Sequence, residues 1–147
     1  MELFGKEPPA GRGGAIHRHI QRLIEEGATA NGFIAEVEHD LGNGGIVDVH
    51  LEKGEYRIAV EIAVASKPQR EVAHIKHCLA VGYDKVFDVF AEERLLERTE
   101  QALTGGLSDE ERAKVQLLHL SKLSVLIYSI AGEREKVILP VELTPEA

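Results

Sequence analysis

In Ile46-Val47-Asp48-Val49-His50-Leu51 apolar residues alternate with other residues, and after Lys53-Gly54 the pattern resumes with Ile58, Val60, Ile62 and Val64. Period-two alternation on both sides of a short turn predicts the two arms of a β-hairpin. If Glu52 faces Glu55 across Lys53-Gly54, Asp48 lies opposite Ala59 and Ile46 opposite Glu61. Asp48, His50, Ala59, Glu61 and Ala63 then project from one face of the sheet. The second arm, Ile58 to Val64, is so apolar that it reads as an interior strand. A carboxylate placed there, Glu61, requires a compensating partner, either an Arg or Lys or a metal ion shared with Asp48.

Working outward, Ile16, Ile20, Leu23 and Ile24 mark one face of a helix from Ala15 to Glu26, with Gly27 as its stop. Phe33, Ala35 and Val37 alternate with Ile34, Glu36 and Glu38 and predict a half-buried strand. The turn-rich segment Leu41-Gly42-Asn43-Gly44-Gly45 follows it. Beyond the hairpin, Ser66 and Gln69 form a capping-box signature with Pro68 in the first turn. The helix it opens has the apolar face Val72, Ile75 and Leu79, and Gly82 ends it. Lys85 to Phe90 reads as a strand, so the order is α-β-β-β-α-β and the fold class is α/β with a mixed central sheet.

The remainder, 91–147, is read as a C-terminal extension. It comprises a helix from about Glu92 to Leu103, a second helix opened by Ser108-Asp109-Glu110-Glu111, and a strand pair. The strands are Leu123 to Ile130 and Val137 to Leu143, joined at Gly132, with Pro140 assigning the last to an edge. Residues 1–14, with Pro8-Pro9 and four glycines, read as a flexible leader, and 15–147 as a single domain with its core in 15–90.

Composition removes several classes of function. No apolar run reaches the roughly 18 residues of a membrane span, and no signal-like leader is present, so no membrane partner is expected. Cys78 is the single cysteine, which excludes an internal disulfide and makes the cytoplasm the default compartment. Phosphate-loop, His-Glu-x-x-His and Gly-x-Ser-x-Gly motifs are absent. The net charge of −8 means that any nucleic-acid surface must be local or supplied by a partner.

The hairpin together with Arg70-Glu71-Val72-Ala73-His74-Ile75-Lys76-His77-Cys78-Leu79-Ala80-Val81-Gly82-Tyr83-Asp84-Lys85-Val86 resembles the restriction-endonuclease-like PD-(D/E)XK nuclease superfamily. It is similar in particular to nuclease-like domains associated with DNA-translocating ATPases. The resemblance covers about Gly13 to Phe90 and implies that superfamily's αβββαβ core. It further implies Mg²⁺- or Mn²⁺-dependent hydrolysis of phosphodiester bonds in DNA, with Asp48 and Glu61 as metal ligands and a homodimer or an ATPase or helicase as partner.

The usual lysine two positions after the Glu is Ala63 here. In relatives the following helix runs Glu, Asn, Lys-Cys-Leu, which matches Glu71, His74 and His77-Cys78-Leu79, so that Glu71 and His77 join Asp48 and Glu61 as the implied catalytic residues. At 100° per residue Lys67, Glu71, His74 and Cys78 form one stripe of that helix, with His77 further round. His17-Arg18 and Gln21 resemble the start of the same domain, with Ile16 where relatives carry a Glu. Glu38 is a further candidate ligand or a solvated edge carboxylate. The alternative implied by Ala63, Ile16 and the acidic charge is a catalytically inactive nuclease-like module for protein interaction or DNA positioning.

Overall fold

A computed structural model describes residues 14–42, 45–132 and 137–145. The elements are Ala15–Ala30 (α1), Ile34–Asp40 (β1), Ile46–Lys53 (β2), Tyr56–Ala63 (β3), Pro68–Ala80 (α2) and Lys85–Phe90 (β4). There follow Glu93–Leu103 (α3), Asp109–Arg112 (α4), Val115–His119 (β5) and Leu123–Ala131 (α5), with short 3₁₀ turns at Leu120–Lys122 and Val141–Leu143. The chain is an α/β protein. Most of the leader and the tip Asn43-Gly44 of the β1–β2 connection lie outside the described residues.

The five strands form one mixed sheet in the order β1-β2-β3-β4-β5. The first three pair antiparallel, and β3, β4 and β5 run parallel. One face carries α1 and α5, whose Ile20, Leu23, Ile24, Leu126 and Ile127 pack on Val49, Leu51, Ile58, Val60 and Ile62. The opposite face carries α2 and α3, where Ile75, Cys78 and Leu103 pack with Val47, Ala59, Tyr83 and Val86. β3 and β4 are covered on both sides. Their near-continuous apolar runs are the signature of interior parallel strands.

The hairpin turn differs from the sequence-based register. Lys53 pairs with Tyr56, Glu52 with Arg57 and His50 with Ala59, so the two-residue loop is Gly54-Glu55 rather than Lys53-Gly54. Gly54 has a φ of 62°, as the first central position of a type II′ turn demands of glycine. The slip is two residues, so β3 keeps its faces. On β2, however, Val47 packs on the α2 side whereas Val49 and Leu51 pack on the α1 side. Strict alternation would put all three together, so it is interrupted at Asp48.

Other expectations are also corrected. Gly27 does not stop α1, which continues to Ala30; its missing side chain instead allows close approach, because a Cβ there would meet Ile127 Cδ1 at 2.5 Å. Ser66 does not cap α2. Lys67 is the N-cap, without a side-chain bond, and the Ser66 hydroxyl is used elsewhere. The Ser108 box forms, with Ser108 Oγ accepting from the Glu111 N–H at 3.0 Å, but it opens only the single turn of α4. The C-terminal strand pair is not formed: Leu123 to Ala131 is helix α5, and Val137 to Pro140 is irregular and leads into a 3₁₀ turn. The fifth strand is Val115–His119, beside β4.

Candidate metal centre

Glu61 sits in the middle of β3 and Asp88 beside it in β4, paired in parallel register. Register neighbours on parallel strands project from the same face, here the one covered by α2. Asp48 comes from the interrupted part of β2, and Glu71 from the first turn of α2. All four carboxylates are buried, with 1% exposure for Asp48, 4% for Glu61, 8% for Glu71 and 0% for Asp88.

Asp48 and Glu61 hold each other through the backbone. The Asp48 N–H donates to Glu61 Oε2 at 3.1 Å, and the Ile62 N–H donates to Asp48 Oδ2 at 2.8 Å. Each carboxylate thus occupies a place that a sheet hydrogen bond would otherwise fill. The two groups are locked in position where the ladder between β2 and β3 ends at Val49–Val60. From α1, His17 Nε2 lies 3.3 Å from Asp48 Oδ1, and Gln21 Nε2 donates to the Asp48 carbonyl at 3.0 Å. Both are buried, which places the polar edge of α1 directly on the candidate site.

From α2, His74 Nε2 lies 3.1 Å from Glu61 Oε2. Although it is at ion-pair distance, that nitrogen is buried and makes no bond of hydrogen-bonding geometry. Cys78, one turn on, completes a group in which a Glu61 oxygen, a His74 nitrogen and the Cys78 sulfur all lie within 4.8 Å of one another. Glu71 accepts from the Ser66 hydroxyl, and its charge acts on Asp88. No donor of proper geometry reaches either oxygen of Asp88.

The electrostatics follow from this crowding. Burial pushes Glu61 from 4.5 up to about 7; the nearby Asp48 charge adds to the rise and His74 opposes it. Burial also pushes Asp88 well above the carboxylate range, reinforced by Glu71, Glu61 and Asp48. Burial lowers His74, but the contact with Glu61 and the charges of Glu61, Asp48 and Glu71 outweigh that and leave it raised. The Cys78 thiol is raised by burial and by Glu61, Asp88 and Asp48.

Of the residues singled out in the sequence, the structure joins Asp48 and Glu61 through their backbone bonds and buries Glu71 in the first turn of α2, on one helix stripe with His74 and Cys78. His77 lies elsewhere: its ring packs against Gly45, where a Cβ would stand 3.0 Å from Nε2. Among the described contacts, the histidine that reaches Glu61 is His74. His50 is also apart, bonded to Tyr83 Oη at 2.7 Å and Glu52 Oε1 at 2.8 Å and stacked on His39. Glu38 is exposed on β1 with a φ of 54°. Asp88 is the site residue the sequence reading missed. Its signal was the one that singled out Glu61, a lone carboxylate inside an apolar strand, Val86-Phe87-Asp88-Val89-Phe90.

A scan against protein-family models gives no match for this chain, and a search of the curated proteins gives none. Among the described residues, no helix is long and apolar enough to cross a membrane.

Proposed function

We propose that this protein is a metal-dependent nuclease of the PD-(D/E)XK type that hydrolyses phosphodiester bonds in DNA, with Asp48 and Glu61 as ligands of Mg²⁺ or Mn²⁺. The observation that carries the reading is the mutual locking of Asp48 and Glu61 inside a cluster that also buries Glu71 and Asp88. Among the described residues, the ion-pair partner of Glu61 is a histidine, not an Arg or Lys. Buried carboxylates gathered in this way suit a divalent cation, whose charge offsets theirs. The all-oxygen donors of Asp48 and Glu61 suit a hard cation that keeps several waters. The α-β-β-β-α-β order of α1 to β4 agrees with the same reading.

When bound, the ion would activate a water and stabilise the charge that develops on the phosphate. The side chains of the chain have distinct parts in this. Gln21 and His17 fix the Asp48 main chain and carboxylate, and the Ile62 and Asp48 N–H groups fix both acids against rotation. His74, beside Glu61, is placed to hold or move a proton where Ala63 offers no lysine. With a net charge of −8 the chain needs cationic surface from a second subunit or an ATPase partner to hold DNA tightly, and we place that assembly in the cytoplasm.

The test is cleavage of linear and circular DNA in millimolar Mg²⁺ or Mn²⁺. Wild-type cleavage that disappears in chelator, and falls about 100-fold or more in Asp48→Ala and Glu61→Ala, supports the reading. Cleavage retained in both variants sinks it. A second reading is favoured by Ala63, buried at the usual lysine position: a nuclease-like module that positions DNA or a protein partner without cutting. Metal binding and DNA or partner binding without cleavage would select it.

A further inference from the structure

We propose that Glu61, His74 and Cys78 form a binding site for a borderline-soft divalent transition metal of the zinc class. The three donor atoms are a carboxylate oxygen, an imidazole nitrogen and a thiol sulfur, all within 4.8 Å of one another. His74 and Cys78 are four residues apart on α2, so the helix presents both to the same side, towards β3. Glu61 Oε2 is already 3.1 Å from His74 Nε2, about the separation of two ligands on one small ion.

Two further observations point to a ligand. The buried His74 Nε2 faces Glu61 without hydrogen-bond alignment. Asp88, wholly buried and next to Glu61 in the sheet, has both oxygens without a donor. It is an acceptor-rich group on the same face as the three donors. A thiolate and an imidazole together select zinc-like ions over Mg²⁺, which takes oxygen donors. On coordination the Cys78 sulfur binds the metal and its proton leaves to solvent. The site shares Glu61 with the reaction proposed above but does not rest on it, since binding is read without DNA.

The experiment uses metal-free full-length protein titrated with Co²⁺, then with Zn²⁺. One equivalent of Co²⁺ should bind and produce thiolate-to-cobalt charge-transfer absorption in the near ultraviolet. Stoichiometric Zn²⁺ should abolish it, and a large excess of Mg²⁺ should not. Cys78→Ala should lose the band, and His74→Ala should weaken Zn²⁺ binding by more than about tenfold. No Co²⁺ binding, or a bound Co²⁺ without the thiolate band, would overturn the proposal. The wild-type spectrum decides even where a variant fails to fold.

Discussion

Glu61 is the residue on which the physics converges, because it is both buried and ionisable near neutrality. Its carboxyl is raised from 4.5 to about 7 by burial, with Asp48 adding to the rise. A raised carboxyl binds its proton more tightly in the folded state, so folded stability falls as pH climbs from about 4.5 through 7. The shift corresponds to something on the order of 3 kcal/mol when fully expressed. His74, also raised, contributes stability that is complete below 6.5 and is lost as pH rises further, so the two act in the same direction. Glu61→Gln keeps an acceptor for the Asp48 N–H and removes the charge. Melting temperatures measured without metal should therefore match wild type near pH 4 and exceed it by several degrees at pH 8; a variant less stable than wild type at pH 8 would contradict this.

Asp48 and Glu61 were legible because each is a carboxylate inside a period-two apolar pattern. Asp88 carried the same signal in a shorter strand. The burial of His17 was not legible, because it depends on where α1 crosses β2, a contact made with Asp48, 31 positions away in the chain.

At the scale of elements, the layers were readable where period and residue content agree, and misread where they conflict. Leu123 to Ala131 is rich in residues that favour strands, yet its buried positions Leu123, Leu126, Ile127, Ile130 and Ala131 follow a helical period. Val125 and Tyr128 point outward. Period was the better guide there. β5 is five residues long and finds its place through parallel pairing with β4, a non-local contact that no local pattern encodes.

Gly27 shows the same dependence on context. As a sequence signal it ends a helix; in the fold it is where α1 meets α5. Gly27→Ala improves helix propensity but drives a methyl into Ile127. It should therefore lower stability by about 1–3 kcal/mol in denaturant titration. An increase would mean that α5 yields at no cost.

At the scale of the whole molecule, the mixed sheet sets three strands of different origin side by side and lets α1 and α2 close on the same acids from opposite faces. Asp48 arrives from β2 with His17 and Gln21 of α1 against it, and Glu61 from β3 with His74 of α2 against it. The element order α-β-β-β-α-β was readable from patterning alone. The nearness of Asp48 and Glu61 followed from hairpin parity, but Asp88's place beside Glu61 did not, because it depends on the register between β3 and β4.

The central claim is that this cluster holds a divalent cation at Asp48 and Glu61. It is tested most directly by a crystal of the protein soaked in Mn²⁺ and measured near the manganese absorption edge. An anomalous peak in contact with both carboxylates is the predicted result. Ordered Asp48 and Glu61 carboxylates with no peak between them, in a crystal that takes up Mn²⁺ elsewhere, would contradict it.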